Sequence, residues 1–284
     1  GQLYLPDSPQ FWLHNRADGP RRAAVSAFGI DGVCLHAILE ETPQERNITA
    51  GFIQPTLREP REALFAIAGE TGQALLQEMD RLRSLVAETG NTNIHHLARA
   101  WWRRRTIDQG QHVCLVAREP EQLVGLLEQA QQAVAEGRFL AEGGIFYNPE
   151  PLGKQGRLAF VYPGSGNHFH GMGRDLSCQW PQVLCRLDQE NEYLATQFAK
   201  GRFWRSETNQ ELSHEDLIFG QVWLGTLVSD VLCLFGVRPD AIIGYSLGET
   251  DGLFATRTWT GRDEMLRRMQ ATDLFTRQLA GPCA

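Results

Sequence analysis

Ser246 stands in the run Gly244-Tyr245-Ser246-Leu247-Gly248-Glu249, directly after Asp240-Ala241-Ile242-Ile243, which reads as a short buried strand, and before helix-compatible sequence. This is G-x-S-x-G in the one setting that gives it chemical meaning, between a strand and a helix. A serine on so sharp a turn needs small residues on either side, because strand and helix approach each other closely there. Its hydroxyl is then exposed at the carboxyl end of the strand, and the next backbone N–H can face a developing oxyanion. The chemistry would be nucleophilic attack on an acyl group. The pattern alone occurs often by chance, so its weight depends on the elements that position it.

From residue 157 onward strands and helices alternate, which predicts an α/β fold with a mostly parallel sheet. Arg157–Gly164 reads as a buried strand ending in a turn. Ser213 opens a long apolar helix with Asp216 three residues on, a capping-box variant, and Gly236 closes it. Ahead of this, residues 43–156 predict a small α/β unit. It has strands near 64–68, 112–117 and 144–147, and helices over about 71–88, 93–105 and 120–137; Pro120 suits a first turn and Gly137 a stop. The first forty-odd residues are poorer. Alternating apolar positions at 33, 35, 37 and 39 predict a half-buried strand, and Gly29 and Gly32 a tight loop before it. Two strands need further partners to be stable.

Composition narrows the classes. With 284 residues, 42% hydrophobic and 21% charged, the chain reads as a soluble globular protein of one or two domains. A formal net charge of −7 disfavours general affinity for nucleic acid or an anionic membrane. The sequence offers neither an uninterrupted apolar run of bilayer length nor a signal-peptide pattern, so no membrane partner is expected. The six cysteines are scattered without a C-x-x-C pair, which suggests cytoplasmic thiols and no zinc site. Trp101-Trp102-Arg103-Arg104-Arg105 is read as a helix end with packed tryptophans and dipole-complementing arginines, since no second basic cluster supports a nucleic-acid patch. His95 and His96 point to different helix faces and cannot share a metal.

Three stretches carry a family resemblance. Arg21-Arg22-Ala23-Ala24-Val25-Ser26-Ala27-Phe28-Gly29-Ile30-Asp31-Gly32, continuing to His36-Ala37-Ile38-Leu39-Glu40-Glu41, resembles the C-terminal signature of β-ketoacyl synthases. That family's reactive cysteine and catalytic histidines lie upstream of the signature, so Cys34 and His36 are not their counterparts; the resemblance gives His36 a structural role. Phe160-Val161-Tyr162-Pro163-Gly164-Ser165-Gly166-Asn167-His168-Phe169-His170-Gly171-Met172-Gly173 is similar to the opening of acyl-CoA:acyl-carrier-protein transacylases, and Gly244–Glu249 to their G-H-S-L-G-E elbow. Together they resemble the ketosynthase–acyltransferase region of a type I polyketide synthase. The tyrosine in the elbow leans toward the polyunsaturated-fatty-acid-synthase-like branch.

The resemblance implies three parts: 1–42 as the tail of a ketosynthase, 43–156 as the ketosynthase-to-acyltransferase linker, and 157–284 as the N-terminal part of an α/β-hydrolase-like acyltransferase core. The chain would then be truncated at both ends, and inactive by itself. Ser246 would be the acyl-accepting nucleophile, with the backbone N–H groups of Leu247 and Ser165 as the oxyanion hole. Tyr245, His168 and Arg268 would line the substrate site. No cofactor or metal is implied as bound. Acyl-CoA and a phosphopantetheine-carrying acyl carrier protein would be substrates, and the carrier protein and the rest of the synthase would be partners.

Three departures bear on activity. Tyr245 replaces the family's histidine before the nucleophile. The family's carboxylate-binding arginine has Ala271 or Thr272 in its place, with Arg267 and Arg268 a turn earlier, which favours a neutral acyl group. The family's general-base histidine lies farther beyond the serine than residue 284. His214, His168 and His170 have no family precedent in that role, and without a base the hydroxyl is a weak nucleophile. Two other readings therefore stand beside the transferase: a serine hydrolase or thioesterase using the same motif, and a degenerate acyltransferase kept as a scaffold.

Overall fold

A computed structural model describes residues 6, 8–42, 56, 60–90, 92–104, 110–198, 203–204 and 212–272. The chain divides into two units: residues 60–156, and residues up to 59 together with those from 157 onward.

In the larger unit, β1 (Arg22–Phe28) and β2 (Cys34–Glu40) form an antiparallel hairpin that pairs Ser26 with His36. Ser26 Oγ lies 2.8 Å from His36 Nδ1, a cross-strand bond that gives His36 a place in the hairpin. The alternation at 33–39 does produce a strand, but not the half-buried one expected. Val33, Leu35 and Leu39 are 61%, 61% and 57% exposed, because no layer among the described residues covers the hairpin. The segment before it is better anchored. Leu13 enters the core, and Arg16 donates to the carbonyls of Gln189 and Asn191. Arg21 holds Glu41 at 2.8 Å and Asp188 at 3.1 Å.

The unit 60–156 carries a four-stranded antiparallel sheet. Its strands β3 (Ala63–Gly69), β4 (Gln111–Ala117), β5 (Leu140–Glu142) and β6 (Ile145–Tyr147) lie in the order β3-β4-β6-β5. Helices α1 (Gly72–Thr89), α2 (Ile94–Arg104) and α3 (Pro120–Glu136) bury their apolar stripes, Leu75, Met79 and Leu82 of α1 against Phe65, Ile67, Leu115 and Leu127. Thr71 Oγ1 caps α1 by accepting from Ala74 N–H, and Gly137 ends α3 in the left-handed conformation at φ 59°. Trp101 is buried and donates from Nε1 to Ala66 O at 2.9 Å, while Trp102 is 59% exposed. The first of the two tryptophans is the buried one; Arg105 lies outside the described residues. Strand β5 was not legible in the sequence. Three residues are too few to show alternation, although Gly143 and Gly144, both at positive φ, supply the tight turn joining it to β6.

The larger unit resumes with β7 (Ala159–Tyr162), three short helices α4 (Arg174–Gln179), α5 (Pro181–Glu190) and α6 (Leu194–Gln197), then α7 (His214–Leu234), β8 (Ala241–Gly244), α8 (Leu247–Ala255) and α9 (Arg262–Ala271). Strands β7 and β8 pair in parallel, Ala159 with Ala241 through Tyr162 with Gly244. Parallel pairing is confined to this pair among the described strands, and it is the pair that presents the serine. The core beside it is aromatic: Phe198 stacks on Trp223 with centroids 4.0 Å apart, and Trp204 meets Trp223 edge-on.

Helix α7 corrects one expectation. Its 21 residues are long and apolar enough, by length and composition, to cross a membrane. Polar residues interrupt the run in sequence, which hides it from a count of consecutive apolar residues. More than half of its apolar window is buried, and the interrupting side chains have internal partners: Tyr162 Oη meets Ser229 Oγ at 2.9 Å, and Asp230 meets Arg257. It is a core helix here. Its N-terminus carries the expected capping box, with Ser213 and Asp216 exchanging hydrogen bonds.

Candidate active site

Strand β8 delivers the chain to Ser246 in a strained conformation, φ 53° and ψ −116°, one of two positive-φ non-glycine residues among those described. Such strain persists only where the surroundings enforce it, and here two glycines do so. A Cβ on Gly248 would overlap the carbonyl oxygen of Tyr162, and one on Gly244 would overlap the backbone of Glu249. The bends close through Gly248 N–H to Tyr245 O at 2.9 Å and Glu249 N–H to Ser246 O at 3.0 Å. Ser246 is exposed at the carboxyl end of β8. Leu247 opens α8, so its N–H is one of the first-turn donors that a helix leaves without an internal partner.

The second half of the site leaves the adjacent strand. Strand β7 ends at Tyr162, whose carbonyl accepts from Tyr245 N–H at 3.2 Å, and runs into Pro163-Gly164-Ser165-Gly166. Gly164 is close under the ring of Tyr245, where a Cβ would come within 2.9 Å of Cδ1. The loop that carries Ser165 and the turn that carries Ser246 therefore lie side by side at the same end of the parallel pair. Asn167 Nδ2 closes the loop on Gly164 O at 2.8 Å.

Sequence reasoning missed the residue that pins this loop. Gln221, buried on α7, donates from Nε2 to Pro163 O at 2.7 Å and to Gly164 O at 2.8 Å. The only available signal was a glutamine inside a strongly apolar helix, a position that demands a buried partner.

The remaining predicted site residues are less drawn together. Tyr245 is 79% exposed beside the nucleophile. His168 and His170 are exposed in the same loop region, past Asn167. Arg268 projects from the surface of α9 and pairs with Glu264 at 2.6 Å, and Arg267 pairs with the same carboxylate at 2.7 Å. The hydroxyl of Ser246 forms no hydrogen bond with any described side chain, so no base is engaged with it. Among the described residues no group of three or more His, Cys, Asp or Glu is placed to hold a metal ion, and none of the five described cysteines is in a disulfide.

Behind the serine lies a layer of buried charge. Arg257, the second left-handed residue, donates to Asp230 at 2.7 and 2.6 Å and to Glu190 at 3.1 Å. Burial works against its charge, but these carboxylates outweigh it and raise its pKa. Asp251 on α8 is 1% exposed and faces Gly225 of α7, where any side chain would overlap its carboxyl. Burial pushes Asp251 up to about 8, against the pull of Arg262. A depression of about 560 Å³ is lined by Phe160, Ser229, Asp230, Pro239 and Arg257 among others. Its lining includes neither Ser246 nor Ser165, so the elbow geometry, not this cavity, marks the site.

Comparison with known proteins agrees with this architecture. No family model matches the chain. It is 30% identical over 239 residues to the polyketide synthase GfsA of Streptomyces halstedii, covering 82% of this chain and 3% of that protein. It is 25% identical over 251 residues to the phthioceranic/hydroxyphthioceranic acid synthase of Mycobacterium tuberculosis, covering 87% of this chain and 11% of that one. The chain thus spans a small part of the curated relatives it matches. Among solved structures, the acyltransferase domain of ZmaA superposes with a TM-score of 0.55 at 19% identity, over 76% of this chain and 49% of that domain. The acyltransferase domain from module 8 of the salinomycin polyketide synthase gives 0.50 at 21%, over 71% and 47%. The chain is homologous to polyketide synthases, and its α/β fold is that of their acyltransferase domains.

Proposed function

We propose that this chain supplies the nucleophile of an acyltransferase that moves an acyl group from acyl-CoA to the phosphopantetheine thiol of an acyl carrier protein, within a larger synthase. The observation that carries the reading is the strained Ser246, exposed at a strand-to-helix turn beside the Ser165 loop. Ser246 Oγ attacks the thioester carbonyl. The backbone N–H groups of Leu247 and Ser165 receive the oxyanion, the C–S bond breaks, and the hydroxyl proton leaves with the CoA thiol. In the second half the carrier's thiol attacks the serine ester and the proton returns to Oγ.

Residues 1–42 would complete a ketosynthase sheet, which fits the uncovered β1–β2 hairpin, and residues 43–156 would be the linker. Arg268 is tied to Glu264, and Ala271 or Thr272 stands where the family has its carboxylate clamp, so the preferred acyl group is neutral. The scaffold reading is favoured by one observation, the absence of any described base bonded to Ser246 Oγ.

The test is acceptor choice in the parent synthase. Acyl-CoA is supplied with a phosphopantetheinylated carrier protein, and acyl-carrier and free acid are measured together. Acyl-carrier formation lost in Ser246→Ala supports the transferase; serine-dependent free acid alone would make it a hydrolase, and neither product a scaffold.

A further inference from the structure

A second, smaller cavity lies at the far end of the elbow helix. It encloses about 140 Å³ and is lined by Glu190, Phe254, Arg257, Trp259, Thr260 and Arg262. Helix α8 is nine residues long, or ~13 Å at 1.5 Å per residue, so the cavity is set well away from Ser246. Phe254 and Trp259 form its apolar wall, ring edge against ring face with centroids 5.8 Å apart, and half-exposed Trp259 is its rim.

Two of its charged residues are already matched. Arg257 is committed to Asp230 and Glu190, and Glu190 also takes Arg186 at 3.0 Å. Arg262 is bonded to none of these carboxylates. It is 4% exposed, its Nη1 is fully buried without an acceptor, and it forms no ion pair among the described residues. Glu190, Asp230 and Asp263 favour its charge from a distance without bonding to it. Asp263 is spent on the N–H groups of Glu192 and Tyr193 and on Gln197, and Asp251 holds its proton at neutral pH. Burial and the neighbouring Arg257 lower Arg262 only to about 10, so it remains charged. Its position at the first turn of α9, which has no side-chain cap, adds the positive end of a helix dipole. A buried guanidinium with an unpartnered donor is costly, and a planar donor fork in a half-apolar cavity is suited to an oxyanion.

We propose that this cavity is an anion site in which Arg262 binds a small oxyanion of phosphate size. A cavity of about 140 Å³ has room for one such ion. The bound ion would neutralise Arg262 and join the start of α9 to the end of α8, the helix that begins at the nucleophile.

The experiment uses the full chain and inorganic phosphate. Thermal unfolding and ³¹P line broadening are followed as phosphate replaces chloride at constant ionic strength, for wild type, Arg262→Gln, Arg262→Lys and the exposed control Arg267→Gln. The expected result is a saturable rise in Tm with matching line broadening, both lost in Arg262→Gln, weakened at least tenfold in apparent affinity in Arg262→Lys and unchanged in Arg267→Gln. If Arg262→Gln does not fold, the lysine variant decides. An absent or non-saturable response in wild type, or one that Arg262→Lys leaves intact, overturns the proposal.

Discussion

Gln221 holds Gly164 in place: its side-chain amide, buried in α7, donates to the glycine carbonyl at 2.8 Å and to the preceding carbonyl of Pro163 at 2.7 Å. The loop that presents Ser165 N–H is thereby fastened to the core helix. Oxyanion donors act by being fixed before charge develops, so the role proposed for the Ser165 N–H would depend on Gln221.

Replacing Gln221 with leucine fills the space but leaves two carbonyls without their buried donor. The expected cost is about 1–3 kcal/mol of stability, from the desolvated acceptors. Denaturant titration of Gln221→Leu measures it, and the rate of serine acylation should fall by more than the stability loss accounts for.

Gly248 admits no side chain, since its Cβ position coincides with the carbonyl of Tyr162. Gly248→Ala must push α8 off β7, at a cost of about 3 kcal/mol or more. A variant with wild-type melting behaviour would contradict the elbow as described.

Asp230 is 7% exposed and depends on Arg257 for its charge balance, with Arg186 a weaker neighbour at 3.7 Å. Arg257→Ala strands a buried carboxylate and should cost about 3–5 kcal/mol. The double variant Arg257→Ala/Asp230→Ala should recover part of that loss, which a double-mutant cycle reads directly.

The folded chain holds a proton on Asp251 that the unfolded chain releases, because burial lifts this carboxyl from 3.8 to about 8. Unfolding therefore releases a proton between about pH 4 and pH 8, and the contribution of this group to stability falls as pH rises through that window. Asp251→Asn keeps the shape and removes the titration. Its stability relative to wild type should rise steadily from pH 4 to pH 8 and level off above, in urea midpoints measured across the range.

Much of this arrangement was legible in the sequence because it is local. The capping box of Ser213 and Asp216, the stop at Gly137, the strand before Ser246 and the glycines around it are each set by neighbours a few residues apart. What escaped is long-range or short. Gln221 finds Pro163 across 58 residues. The environment of Asp251 is created by Gly225 and Arg262 from two other helices. Strand β5 is three residues long. The burial of β2, β7 and β8 was misjudged for a related reason, since an apolar pattern reports a strand but not whether anything lies on it: Leu35, Val161 and Ile243 are all exposed.

Covalent labelling of Ser246 tests the central claim most directly. Intact-mass spectrometry of the larger synthase proposed above, after incubation with acetyl-, malonyl- and longer acyl-CoA, should show one acyl mass gain, largest for a neutral acyl donor and absent in Ser246→Ala. Folded protein that gains no mass from any donor, or gains it equally in Ser246→Ala, would contradict the assignment of Ser246 as the acyl-accepting nucleophile.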